Sequence, residues 1–410
     1  MITILKVSIF ERLNEIVLIS KNTHCMTRKE ENRIKLLLFA KSIEGGTGTA
    51  VLSLQKLSSS NFDITTVVLE KPNYRVYFRS TIKFFHSKNY YPNYYMLSMK
   101  YVIGFIHELI EYRNVYKKVN PEIVLSIDVH CNLIALIDKL FFFPKSKVIA
   151  TTHIDLDGVL SSKGSWTLKL VLRKLITFFY NKASLIICLT GRMKEQMKNE
   201  FRIRSKMSVI GLGVSFQHKK TKIRHANTLV KKIISIGRLV EQKDFFVLVK
   251  AFAALSNRSD NVELEIIGEG PQKKELVKLA HRLGLKKSIK FLGWKQDVTP
   301  YLLGADIFVL STKREGFPYS LLEAMTAGKP IISTDVKFGP SEILDRGKYG
   351  ILTKVGDVEG LTESMYMLLH NKKKHEYYSK KSYERGLMFS EERMLSNYAK
   401  ELKKVLLASK

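Results

Sequence analysis

The sequence predicts an α/β protein of two domains, each a parallel sheet covered by helices on both faces. Three observations predict it. Short apolar runs of strand length alternate with helical stretches of ten or more residues, the pattern of strand-helix-strand units and not of hairpins. Ser215 to Lys232, basic, polar and weakly patterned, divides two such series and suits a hinge. At 410 residues with 45% hydrophobic content, the chain can bury two separate cores.

The first series opens with the strand Ile34 to Ala40. The charged run Arg28 to Arg33 before it marks residues 1–33 as a peripheral extension and leaves Met26 as an alternative start. A Gly-rich turn follows, then a helix over Ala50 to Leu57 and strands at Ile64 to Leu69, Ile123 to Ile127, Lys147 to Thr151 and Ser184 to Leu189, so this domain covers residues 34–215. After a linker at 216–232, the second domain spans 233–390. Its predicted strands are Lys232 to Ile236, Val262 to Ile267, Ile289 to Leu292, Asp306 to Leu310 and Pro330 to Ser333. Its predicted helices are Phe245 to Leu255, Pro271 to Leu283 and one that begins near Pro318 and stops at Gly328. Glu391 to Leu407 has helical spacing and closes the chain. Parallel sheets bind ligands beyond the carboxyl ends of their strands. Arg238, the Gly268-Glu-Gly-Pro271 turn and Glu315 follow predicted strand ends directly, so one crevice should hold all three.

Composition narrows the class. Cys25, Cys131 and Cys188 have neither metal-ligand nor CxxC spacing, which argues against a disulfide framework and a zinc site and fits a reducing cytoplasm. No apolar run reaches the roughly 18 to 20 residues needed to cross a bilayer, and Lys6, Glu11, Arg12 and Glu15 interrupt what would be the apolar part of a signal peptide. The expectation is a cytoplasmic protein. Its formal net charge of +30 calls for an anionic partner: nucleic acid, an acidic membrane face or a pyrophosphate-bearing substrate.

The most informative stretch is Glu315-Gly-Phe-Pro-Tyr-Ser-Leu-Leu-Glu323, followed by Ala324-Met-Thr-Ala-Gly-Lys-Pro330. It sets two carboxylates across a loop-to-helix junction whose unpaired N–H groups and positive dipole end favour an anion. A phosphate for the helix end and hydroxyls for the carboxylates together describe a sugar nucleotide. An acidic first turn on an ordinary surface helix has the same spacing. Gly237-Arg-Leu-Val-Glu-Gln-Lys-Asp244 brings Arg238 and Lys243 to the crevice mouth, a guanidinium fork and a compact ammonium suited to adjacent phosphates, though also to plain solvation. Glu44-Gly-Gly-Thr-Gly-Thr49 follows the first strand, and Gly45 and Gly46 allow close backbone approach. His153, with Asp155 and Asp157 nearby, lies just past another strand end, where a lone histidine is as often structural.

Glu-x7-Glu with Gly-Phe-Pro after the first Glu and Glu-Ala-Met-x-x-Gly-x-Pro around the second closely resembles the retaining glycosyltransferases of family 4, which have the GT-B fold: two Rossmann-like domains facing across a cleft. The resemblance runs from about Ile34 to the C-terminus and is strongest from Ile233 to Leu352. It implies that the first domain takes the acceptor, that the last helix crosses back to pack on it, and that the second domain takes the donor nucleotide. It implies further that Arg238 and Lys243 hold the donor diphosphate and stabilise it as it leaves, that Glu315 binds sugar hydroxyls and Glu323 the ribose, and that Gly316, Phe317, Pro318, Tyr319 and Ser320 line the diphosphate and sugar. Gly45 and Gly46 would face them, His153 would lie near the sugar and the acceptor path, and the nucleobase would sit around Gly293 and Trp294. Gly339-Pro-Ser-Glu-Ile-Leu344 is similar to enzymes of this group that build bacterial surface polysaccharides, and reads equally as a turn capped by Ser341. No Asp-x-Asp motif sits in a suitable loop, so the expectation is a UDP-sugar co-substrate, no cofactor and no metal. Sugar-nucleotide epimerases and hydrolases share the fold, and a nonenzymatic nucleic-acid binder is the remaining alternative, motivated by charge alone.

Lys71 to Val119 mixes nine Lys and Arg with thirteen aromatic residues. That mixture suits a membrane-water interface at the inner face of the plasma membrane and a lipid-linked acceptor, and it also suits half-buried helices or single-stranded nucleic acid. Leu168, Val171, Leu172, Leu175 and Phe179, with Lys169, Arg173 and Lys174 between them, read as a sheet-covering helix with a solvated basic face.

Overall fold

Among the described residues, thirteen strands, all paired parallel, make two sheets. This computed structural model describes residues 33–43, 45–70, 81–84, 99–153, 155–161, 166–215 and 230–408. Residues 1–32 of the predicted extension, most of the predicted linker, residues 71–80 and 85–98 within Lys71 to Val119, Glu44 and the side chain of Asp157 lie outside the described residues.

The first sheet contains β1 (Ile34–Ala40), β2 (Phe62–Val68), β3 (Thr81–Phe84), β4 (Ile123–Ile127), β5 (Lys147–Thr152), β6 (Leu185–Cys188) and β7 (Met207–Val209) in the order β3-β2-β1-β4-β5-β6-β7. The second contains β8 (Lys231–Ile236), β9 (Val262–Ile267), β10 (Ile289–Gly293), β11 (Ile307–Leu310), β12 (Ile331–Thr334) and β13 (Ile351–Thr353) in the order β10-β9-β8-β11-β12-β13. Both orders reverse beside their first strand, the doubly wound arrangement that opens a ligand crevice at the strands' carboxyl ends. The central strands are buried on both faces, which is why Ile307–Leu310 is apolar throughout and Ile123–Ile127 is apolar but for Ser126.

In the first lobe the connecting helices are α1 (Gly45–Leu54), α2 (Met99–Val119), α3 (Val129–Phe141), α4 (Leu156–Ser161), α5 (Trp166–Tyr180) and α6 (Gly191–Asn199). In the second they are α7 (Phe245–Ser256), α8 (Lys273–Arg282), α9 (Thr299–Gly304), α10 (Tyr319–Thr326), α11 (Pro340–Ile343), α12 (Val358–His370) and α13 (Lys372–Gly386). The last helix, α14 (Glu391–Leu407), returns to the first lobe. Ser390 caps it by accepting from the Arg393 N–H, Glu391 pairs with Lys56 at 2.6 Å, and Ser208 donates to Glu401 at 3.0 Å.

Several boundaries differ from the sequence reading by a few residues, and two of the differences have a plain cause. The first helix starts at Gly45, not Ala50, because the glycine run itself forms the opening turn: a Cβ on Gly48 would sit 1.9 Å from the Ile43 carbonyl oxygen, so only glycine lets the chain fold back there. β8 begins at Lys231, one residue before the predicted Lys232, since Lys231 is in register with Val262 of β9.

Candidate active site

The loops that leave β8, β9, β10 and β11 pack against one another at a single edge of the second sheet. The Leu239 N–H donates to the Glu269 carbonyl at 2.9 Å, Gln272 N–H to the Leu239 carbonyl at 3.0 Å, and Gly268 N–H to the Gly293 carbonyl at 2.9 Å. Glycine is required at the centre of this knot, because Gly268 has a φ of 141° and a Cβ there would meet the Gly237 oxygen at 2.0 Å. The buried Leu239 anchors the loop and leaves Arg238 exposed. A second set of bonds joins this loop to the one after β11: Lys313 N–H and the Thr312 hydroxyl both donate to the Gln242 carbonyl, at 2.8 and 3.0 Å, and the Gln242 amide donates to the Arg314 carbonyl at 2.7 Å.

This stitching brings Lys243 to Glu315. Their ammonium and carboxylate form an ion pair, and both side chains are largely buried. Glu323 lies farther along, on α10, half-buried and without an ion pair; burial, helped by the charge of Asp297, raises its carboxyl to about 7. Pro318 stands at the N-cap of α10, so the N–H groups of Tyr319 and Ser320 open the helix and have no partner within it. Trp294, next to Gly293, is 58% exposed at the rim.

The first lobe meets this crevice with the carboxyl ends of β5 and β6. A Cβ on Gly316 would fall 2.0 Å from the His153 carbonyl oxygen, so the lobes touch backbone to backbone there. The His153 ring is buried, its Nε2 has no hydrogen-bond partner, and burial lowers its pKa to about 4, so it is a neutral imidazole. An orphaned buried nitrogen costs about 1–3 kcal/mol, a cost that a ligand hydroxyl would remove. Gly46 lies against the Tyr319 ring, at 3.5 Å for a built Cβ. Arg314 donates to the Gly158 carbonyl at 3.1 Å.

Not every predicted residue faces the crevice with its side chain. Phe317 is buried at the lobe junction, edge-on to Phe389 with ring centroids 5.8 Å apart, and the Tyr319 ring is buried too, so from these two the crevice has backbone groups. Asp155 accepts from Gln196 at 3.2 Å within the first lobe. Ser341 does not cap α11, which has no side-chain cap; the side chain that matters in that motif is Glu342. Its carboxylate crosses to the first lobe and accepts from the N–H groups of Gly191 and Arg192, at 2.6 and 3.2 Å, at the start of α6. Sequence alone could not find this, because the acid and the helix it caps are some 150 residues apart.

Two Rossmann-like sheets with their carboxyl edges opposed, one presenting cations and acids and the other glycines and a neutral histidine, define a GT-B glycosyltransferase. The family model for Glycosyltransferase Family 4 matches residues 45–218 and that for Glycosyl transferases group 1 matches residues 217–385, so the two run on from one another. The chain belongs to the GT4-type glycosyltransferases.

It is 30% identical over 196 residues to the lipopolysaccharide core biosynthesis glycosyltransferase LpsE of Rhizobium meliloti, covering 47% of this chain and 55% of LpsE, about half that relative's length. It is 26% identical to the Campylobacter jejuni N-acetylgalactosamine-N,N'-diacetylbacillosaminyl-diphospho-undecaprenol 4-alpha-N-acetylgalactosaminyltransferase, covering 66% of this chain and 73% of that one. Among solved structures, Anabaena HepE in complex with UDP superposes with a TM-score of 0.72 at 16% identity, over 90% of this chain and 100% of HepE, which shows the shared fold.

Proposed function

We propose that this glycosyltransferase is retaining and metal-independent, moving a hexose or N-acetylhexosamine from a UDP-sugar to a lipid-linked saccharide at the inner face of the plasma membrane, in bacterial cell-surface polysaccharide biosynthesis. The observation that carries this reading is the convergence of Arg238, Lys243 and Glu315 at one strand-end crevice, met from the other lobe by Gly46 and His153. The UDP held by HepE supports the nucleotide, the diphospho-undecaprenol in the Campylobacter relative's name supports the lipid carrier, and the role of LpsE supports the pathway class.

In the reaction, the acceptor hydroxyl oxygen bonds to the anomeric carbon on the face from which the phosphate departs. The bond from that carbon to the phosphate oxygen breaks with its electron pair, and the hydroxyl proton passes to that oxygen. Arg238 and Lys243 stabilise the charge that grows on the diphosphate more than they stabilise the ground state. Glu315, released from Lys243, accepts sugar hydroxyls; Glu323, once ionised, accepts the ribose diol; His153 bonds a hydroxyl without contributing charge. Lobe closure keeps water from the activated sugar.

The test is to offer UDP-hexoses and UDP-N-acetylhexosamines with an undecaprenyl-diphosphate saccharide, with and without a chelator, and to assign the product linkage by proton NMR. An axial donor giving an axial product, unaffected by chelation, is expected. An inverted linkage, activity lost with the chelator, or altered sugar formed with no acceptor would each overturn the corresponding part.

A further inference from the structure

α5 carries more apolar surface than a helix that merely covers a sheet. Leu172, Ile176, Phe179 and Tyr180 pack inward, as a sheet-covering helix requires, whereas Trp166, Leu170, Val171, Leu175 and Phe178 are exposed by 72%, 38%, 53%, 45% and 50%. These five lie on the outward half of the helix, Leu170 and Val171 adjacent and the others three or four residues apart. The basic residues expected on the solvated face are partly drawn inward: Arg173 donates to the Glu200 carbonyl, with its guanidinium 4.6 Å from the Phe201 ring centroid, and Lys169 is half-buried. Thr167 and Lys174 interrupt the outward stripe, and Lys182 sits 5.3 Å above the Phe178 ring. Trp166 to Tyr180 contains no acidic residue.

A contiguous exposed apolar stripe needs a partner. Charge selects which one. A second copy docked through a twofold axis would bring two strongly cationic chains together and set each Lys174 toward the other copy, with no carboxylate on the helix to offset it. A bilayer rich in anionic headgroups meets both features, taking aromatic and aliphatic side chains at headgroup depth and the ammonium groups at the phosphates. α4, whose Gly158 carbonyl the second lobe holds through Arg314, packs against α5.

We propose that α5 is a membrane-docking helix: Trp166, Leu170, Val171, Leu175 and Phe178 enter the interfacial layer of an anionic bilayer, and Lys174 and Lys182 bind its headgroup phosphates. The inference rests on the lipid-linked reading of the acceptor and names the surface that meets the lipid. Full-length chain is sedimented with vesicles of phosphatidylcholine, with and without phosphatidylglycerol. Wild type should pellet with the anionic vesicles and remain in solution with the neutral ones. Val171→Glu/Phe178→Glu should lose at least about tenfold in vesicle affinity, and Lys174→Ala should lose most of the preference for the anionic lipid. Both variants should keep wild-type circular dichroism and wild-type transfer to a water-soluble analogue of the acceptor.

Vesicle binding unchanged in Val171→Glu/Phe178→Glu overturns the proposal. So does a wild-type chain that ignores anionic vesicles, or a dimer in sedimentation velocity that this variant dissociates. If vesicle binding follows the variants while no lipid-linked saccharide is ever a substrate, the docking surface stands and the acceptor reading fails.

Discussion

Lys243 and Glu315 neutralise each other within the crevice, so under the proposed function an arriving diphosphate would exchange one anionic partner of Lys243 for another and free a carboxylate for sugar hydroxyls. Arg238 is exposed, and under the same proposal its contribution would go to the diphosphate. Arg238→Ala should therefore lower kcat by about 10²–10³-fold, about 3–4 kcal/mol of transition-state stabilisation, with a smaller change in donor KM; steady-state kinetics showing the reverse split would make it a ground-state binding residue. Glu323 yields a pH prediction with a definite sign. Its carboxyl titrates near 7 in the folded chain against 4.5 for the ordinary group, because burial and then Asp297 disfavour the charge. Between those values this carboxyl holds a proton in the folded chain that it has released in the unfolded one, so its contribution to stability falls as pH rises through the window, and Glu323→Gln should remove that contribution, making the melting temperature of the variant rise relative to wild type as pH increases. Donor affinity should run the other way, improving in wild type as pH rises through about 7 because the ionised carboxylate accepts two ribose hydroxyls. Calorimetric titration of UDP across that range should be flat for the Gln variant.

At the scale of elements, what could be read from sequence was what local pattern determines. Strands such as β4 and β9 were legible at their true boundaries, β4 because four of its five buried residues are apolar, and β9 because Val262, Leu264 and Ile266 alternate with Glu263 and Glu265 before Ile267. β3, β7 and β13 were not; each is three or four residues long and lies at the edge of its sheet, where one side lacks a neighbour and the apolar signal thins. The candidate site residues on the loops after β8 and β11 were picked out by local motifs, and the structure brings Lys243 and Glu315 of them into contact. Contacts between distant segments were not, and Glu342 shows the cost. The first turn of α6 needs partners for its N–H groups; Thr190 satisfies that of Met193, and Glu342 from the other lobe satisfies those of Gly191 and Arg192. One carboxylate thus caps a helix and fastens the closed cleft. Glu342→Ala should cost about 1–2 kcal/mol of stability and raise KM for both substrates, with an increased radius of gyration in solution scattering. If the radius and both KM values stay put while only the melting temperature falls, the contact is a cap and not a fastening.

Over the whole molecule, the two lobes are also joined by α14, which starts from the second lobe and buries Met394, Tyr398 and Leu402, spaced by four residues, against the first. These side chains belong to one hydrophobic cluster that runs from the β1 strand of the first lobe through Phe317, Tyr319 and Leu321 at the donor crevice. The geometry of the crevice therefore depends on a helix whose sequence lies outside every catalytic motif. Tyr398 is the sharpest probe of that dependence, because its ring is fully buried while its hydroxyl has no hydrogen-bond partner. Tyr398→Ala should open a cavity, cost about 3–5 kcal/mol and weaken donor binding, since the surface that supports Tyr319 collapses toward the void. Tyr398→Phe removes only the unsatisfied hydroxyl, so it should leave stability unchanged or raise it and leave turnover intact. Differential scanning calorimetry of the pair separates the ring from its oxygen. A Phe variant destabilised as much as the Ala variant would mean that the hydroxyl, not the packed ring, holds the lobes in register.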